Sequence, residues 1–126
     1  MPRTTKAEAP IVVDAPILTT RRVDFDGFTL QFDEYHVDAD GTPVFRGLPD
    51  DRCQCPHWGV VVSGEIRLRY ADREEVYLAG DAYYAPPGHV PVVTAGSEVI
   101  EFSPTAQLEP TMQHLAAAMA AMGERA

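Results

Sequence analysis

Apolar and polar positions along most of this chain alternate in short bursts. Phe28, Leu30 and Phe32 are separated by single polar residues, the period-two pattern of a half-buried strand. Glu34 and His36 keep the same parity, which predicts that they face the way the apolar set faces. Residues 11–23 carry short apolar runs broken by Pro16, and predict an edge strand or an irregular arm. Val44 and Phe45 predict a short strand between a turn over residues 38–41 and a polar loop over 47–52. Further strands are predicted at residues 58–62, 66–70, 76–78, 82–85, 90–94 and 98–102. The residues between them are turn formers: Ser63-Gly64, Ala71-Asp72, Ala79-Gly80-Asp81, Pro86-Pro87-Gly88 and Ala95-Gly96. Short strands at intervals of about ten residues predict an antiparallel sandwich or barrel.

The period changes near the C-terminus. Leu108, Met112, Leu115, Met119 and Met122 form one apolar stripe at helical spacing, predicting an α-helix over about residues 106–122. Thr105 is the expected cap and Gly123 the expected stop. The stripe is expected to lay the helix on the outside of the barrel, or to make a dimer contact, rather than to line a ligand site.

At 126 residues the chain suits one domain, expected over residues 11–126, after a polar and flexible N-terminus over 1–10. Its net charge of -9 disfavours nucleic acid and anionic membranes as partners. No run approaches the roughly 18 apolar residues that a membrane span needs, and the first ten residues do not read as a secretory signal. The only two cysteines, Cys53 and Cys55, are too close for a comfortable mutual disulfide, so a reducing cytoplasm is the expected compartment. One lysine against nine arginines, with no asparagine, fits a GC-rich bacterial genome.

Chemistry concentrates in two places. In Cys53-Gln-Cys55-Pro-His57, an extended chain would point positions 53, 55 and 57 to one face, as a half-shell for a divalent ion. Sulfur and imidazole donors favour zinc, with iron or nickel as alternatives. The structural alternative is two small buried thiols and a satisfied core histidine. The second place is residues 80–89, where a rigid Pro86-Pro87-Gly88 turn would fix the aim of His89. Taken alone, His89 reads as a surface turn histidine.

Together these segments resemble the paired motifs of the cupin superfamily. Gly80, Pro86, Gly88 and His89 resemble the second motif, and Val60-Val-Val-Ser-Gly64-Glu65 resembles the end of the first. The resemblance covers roughly residues 45–103. It implies an all-β, antiparallel jelly-roll β-barrel, here with a C-terminal α-helix. It also implies a pocket at the barrel mouth, and a divalent metal held by three histidines and a glutamate. The chain departs from that ligand pattern: no His-x-His occurs, and Cys-x-Cys-x-His stands in its place, so the metal set expected from the resemblance is an altered one, Cys53, Cys55, His57 and His89.

The resulting expectation is a small cupin-like metal-binding protein that binds or acts on a small molecule in the barrel mouth. Glu34, His36 and Tyr84 are the candidates for moving a proton, with Tyr83 and Glu101 as further residues of the funnel, Glu101 being expected to face solvent. The alternatives are a non-catalytic metal or metabolite sensor and a metal-free scaffold. A homodimer is expected, with residues 11–23 as the candidate for an exchanged or edge-pairing strand.

Overall fold

The computed structural model of the protein describes residues 2–124. Ten strands form two antiparallel sheets. They are β1 (Ile11–Asp14), β2 (Leu18–Phe25), β3 (Phe28–Tyr35), β4 (Ala39–Asp40), β5 (His57–Ser63), β6 (Glu65–Arg69), β7 (Glu74–Leu78), β8 (Ala82–Ala85), β9 (Val90–Val93) and β10 (Glu98–Pro104). One sheet has the order β1-β2-β3-β10-β5-β8, and the other β4-β9-β6-β7. One helical turn, α1 (Thr42–Phe45), follows β4, and the chain ends in α2 (Thr105–Glu124). The expected antiparallel jelly roll with a C-terminal helix is what the chain forms. Among the described residues no helix is long and apolar enough to cross a membrane.

The sheets pack through alternate residues. Val61, Ala85 and Val99 of the six-stranded sheet meet Ile66, Leu68 and Val93 of the four-stranded sheet in one buried cluster. β5 and β6 belong to different sheets and are joined by Gly64 alone. Gly64 has φ +73°, and a Cβ there would lie 2.7 Å from the Ser97 backbone. Only glycine crosses at that point without strain.

Two local expectations change. Val44 and Phe45 belong to the helical turn α1 rather than a strand. Asp40 Oδ1 accepts from the Thr42 amide at 2.9 Å, and Pro43 pre-sets a helical φ. The N-terminal residues expected to fray include a turn over residues 5–9 that buries Ala9 against Leu30 and Phe32. Lys6 pairs with Glu34 and Glu98 at 3.1 and 2.8 Å.

That arm settles the orientation of β3. Leu30 and Phe32 pack outward beneath it, beside Val23, Phe25 and Ile100. The polar face of the strand, Thr29, Gln31 and Asp33, is the one that turns inward, and all three residues are buried. α2 closes the same end. Its stripe packs on Phe45, Leu48 and Cys53 through Leu108, Met112 and Leu115. The stripe also lines a half-open cavity of about 1000 Å³ as far as Met119 and Met122, so the helix forms a cavity wall and not merely an outer layer. α2 runs past Gly123, the expected stop, to Glu124.

Candidate metal centre

Cys53 lies in the loop before β5, and His89 follows the Pro86-Pro87-Gly88 turn. Their backbones clasp one another: the Cys53 amide donates to the His89 carbonyl at 2.8 Å, and the Gly88 amide donates to the Cys53 carbonyl at 2.7 Å. Gly88 takes φ +98°, which lets the chain turn directly into this clasp. His57 opens β5 with its side chain inward, in the same layer as Val61 two pairs along the strand.

The three side chains converge. One donor atom each from Cys53, His57 and His89 lie within 4.8 Å of one another, and all three residues are buried. The Cys53 Sγ to His57 Nε2 separation is 3.6 Å, and the imidazole centroids are 5.0 Å apart. His89 Nδ1 is 2.9 Å from the Pro86 carbonyl. A carbonyl only accepts, so Nδ1 carries the proton and Nε2 holds the free lone pair. His57 Nδ1 is 2.7 Å from Ser103 Oγ, leaving Nε2 to face Cys53. An imidazole anchored at one nitrogen and free at the other is the arrangement of a metal-ligating histidine.

Cys55 does not join them. Its Sγ turns to the Pro56 carbonyl at 3.3 Å. The expected common face of 53, 55 and 57 required an extended chain, but residues 54–56 are irregular. The Gln54 side chain folds back to donate to the Pro49 carbonyl at 2.9 Å, which breaks the alternation.

Burial governs the protonation of this centre. It pushes the Cys53 thiol up to about 11 and the Cys55 thiol to about 12, with neighbouring Glu101 adding to the shift. It pulls His57 and His89 down to about 4, so both imidazoles are neutral at physiological pH. Neutral imidazoles are ready to ligate; the thiol must lose its proton to do so. One sulfur and two imidazole donors suit zinc, and three protein ligands leave a fourth position open.

Of the other expected residues, Glu34 is on the surface in its ion pair with Lys6. His36 is exposed, with Nε2 2.8 Å from Thr19 Oγ1. Tyr84 lies on the outer sheet face, its ring 5.1 Å from that of Trp58. The parity of Glu34 and His36 followed Phe32 as expected, but that face is the one under the N-terminal arm.

Their place on the cavity is taken by other groups. Glu101 points inward rather than to solvent, accepting from Tyr83 Oη at 2.8 Å, with its second oxygen 3.8 Å from His57 Nδ1. Asp33 accepts from Thr20 Oγ1 at 2.7 Å. Burial pushes both carboxyls up to about 7, and Glu101 adds to the shift at Asp33. The available signal was the polar parity of Thr29, Gln31 and Asp33 opposite the apolar set, read with Glu101 and Ser103 in β10.

No family model and no curated protein sequence matches this chain. Solved structures do. It is similar to an RmlC-like cupin from Shewanella frigidimarina, at 20% identity and TM-score 0.59, covering 80% of this chain and 88% of that one. It is similar to KdgF from Halomonas sp., at 19% identity and TM-score 0.56, covering 79% and 90%. It is also similar to Fe(II) HppE, at 14% identity and TM-score 0.55, covering 82% of this chain and 60% of that one. The order of strands, the glycine-crossed sheet junction and these likenesses agree: the chain has the cupin fold.

Proposed function

We propose that this protein is a zinc-dependent cupin-fold enzyme, whose Cys53, His57 and His89 hold the ion while a small molecule occupies the adjoining cavity. One observation carries this reading: three buried donors converge, and all three line the cavity of about 1000 Å³. A buried donor set that opens on a cavity, with a ligand position to spare, is built for a substrate rather than for structural support. Iron or nickel is the alternative ion, and the likeness to Fe(II) HppE supports keeping iron in the comparison.

When bound, the ion would supply Lewis acidity at its open position. The chain's own residues do the rest. Ser103 and the Pro86 carbonyl orient the two imidazoles, and the backbone clasp fixes Cys53 against His89. Val44, Phe45, Leu115 and Met119 give the cavity apolar walls that exclude water. Asp33, held near neutrality by burial, gives or takes a proton at its carboxyl.

The protein acts as a homodimer in this proposal. The support is an apolar outer face on β5, β8 and β10, where Trp58, Val60, Val62, Tyr84 and Phe102 all stay exposed. This face is favoured over residues 11–23.

The test is elemental analysis of untagged protein, with titration of zinc, iron and nickel into chelator-treated protein. About one zinc per chain, bound more tightly than iron, is expected. Protein without stoichiometric metal, whose stability a chelator leaves unchanged, overturns the reading.

A further inference from the structure

The cavity has a floor that the metal-binding residues do not account for. Asp33 and Glu101 are diagonal neighbours on β3 and β10, since Glu101 pairs with Gln31 and Val99 with Asp33. One oxygen of Asp33 accepts from Thr20, and one oxygen of Glu101 accepts from Tyr83. The second oxygen of each hydrogen-bonds to no described residue. Yet no buried side-chain oxygen or nitrogen among the described residues lacks a partner. These oxygens are therefore not sealed in protein; they look into the cavity, which both residues line. They are acceptors waiting for donors.

The charge balance is one-sided. Among the described lining residues Arg22 is the only lysine or arginine, and Asp24 and Glu109 already engage it. Asp14 adds a further carboxyl to the lining, whereas Asp40, also there, is paired with Arg69 at 2.9 Å. Asp33 and Glu101 set two carboxyls beside the single net positive charge that a zinc ion held by the Cys53 thiolate would contribute. Low-dielectric walls focus that field, and an entering anion meets these carboxyls with no free lysine or arginine among the described lining residues to receive it. An uncharged ligand meets apolar walls and free acceptors.

We propose that the cavity takes an uncharged, largely apolar molecule whose hydroxyl groups donate to Asp33 and Glu101, and that it discriminates against carboxylates and phosphates. The proposal rests on reading the cavity as the ligand site of the function above. It names the substrate class for that site.

Calorimetric titration with three probes tests it: 2-naphthol, naphthalene-2,7-diol and 2-naphthoate, at about pH 8, where both naphthols stay largely neutral. Zinc-loaded and chelator-treated protein are both titrated. In each, 2-naphthol should bind at least about tenfold more tightly than 2-naphthoate, and the diol more tightly still. Asp33→Asn keeps the Thr20 hydrogen bond but removes the charge, and should shrink the naphthol-to-naphthoate ratio to below about threefold. The three wild-type titrations decide the matter if that variant does not fold. Naphthoate binding as tightly as naphthol overturns the proposal. So does no binding by any probe, or an unchanged ratio in folded Asp33→Asn. Selectivity without zinc binding removes only the metal reading; zinc binding without selectivity removes only this one.

Discussion

At the scale of single residues, the two imidazoles and one thiol differ in what holds them. His57 depends on Ser103, His89 on a backbone carbonyl that no substitution of its own side chain removes. Ser103→Ala should therefore weaken zinc binding by about 10–100-fold, read by competition with a chromophoric chelator. Cys55→Ala should leave zinc affinity within about threefold of wild type, while Cys53→Ala abolishes stoichiometric binding. The proton count is also set here. With the thiol pushed up to about 11 and the imidazoles down to about 4, zinc displaces one proton across neutral pH. The apparent affinity should then rise about tenfold per pH unit, and calorimetry in buffers of different ionisation enthalpy should count one proton released. A pH-independent affinity would contradict the thiolate as a ligand. The grouping of Cys53, His57 and His89 was legible in the sequence because few residue types bind metal and all three sit beside turns. Cys55 was misplaced because parity arguments hold only for extended chain. Asp33 escaped notice because buried polar faces look like exposed ones until something is known to cover the opposite side.

At the scale of elements, the joints matter more than the strands. Gly64→Ala places a side chain in a left-handed conformation and drives its Cβ into Ser97. It should lower stability by about 2 kcal/mol or more, measured by chemical denaturation. Leu108 is 2% exposed and fastens α2 to α1. Leu108→Ala should cost about 2–5 kcal/mol, and should loosen the cavity wall as well as the core. Strand positions and the C-terminal helix could be read because their periods are strong and repeated. The single turn α1 could not, since four residues carry no period and the Asp40–Thr42 hydrogen bond and Pro43 at its start are local details. The helix stripe revealed a buried face but not what it faced: packing and a cavity wall demand the same side chains.

At the scale of the molecule, four buried titratable groups oppose one another. Folded Asp33 and Glu101 hold protons up to about pH 7, whereas their ordinary values are 3.8 and 4.5. They favour folding at low pH, and that contribution is lost as pH rises from about 4 to 7. His57 and His89 have folded values near 4 against an ordinary 6.5, so their contribution runs the other way, growing as pH rises from about 4 to 6.5. Between about pH 4.5 and 6.5 the two pairs bind equal numbers of protons in the folded and unfolded states, and their slopes cancel. Metal-free Asp33→Asn leaves one carboxyl against two imidazoles, so its stability should rise with pH across that window relative to wild type. A fall, or parallel curves, would contradict the burial of these charges. The outer sheet face makes a further molecular prediction. Light scattering should give a dimer, and Trp58→Glu a monomer with its zinc content unchanged.

The helix that walls the cavity is one continuous piece of chain, 20 residues long, and supplies none of the three metal donors. The shape of the cavity wall and the candidate metal donors are thereby written in separable stretches of sequence. Substitutions at Met119 and Met122 can reshape what enters while the sheets, the clasp and the candidate donors stay as they are. Such a division makes this a scaffold on which new ligand preferences can arise by drift in one segment, with the fold and the candidate donor set retained.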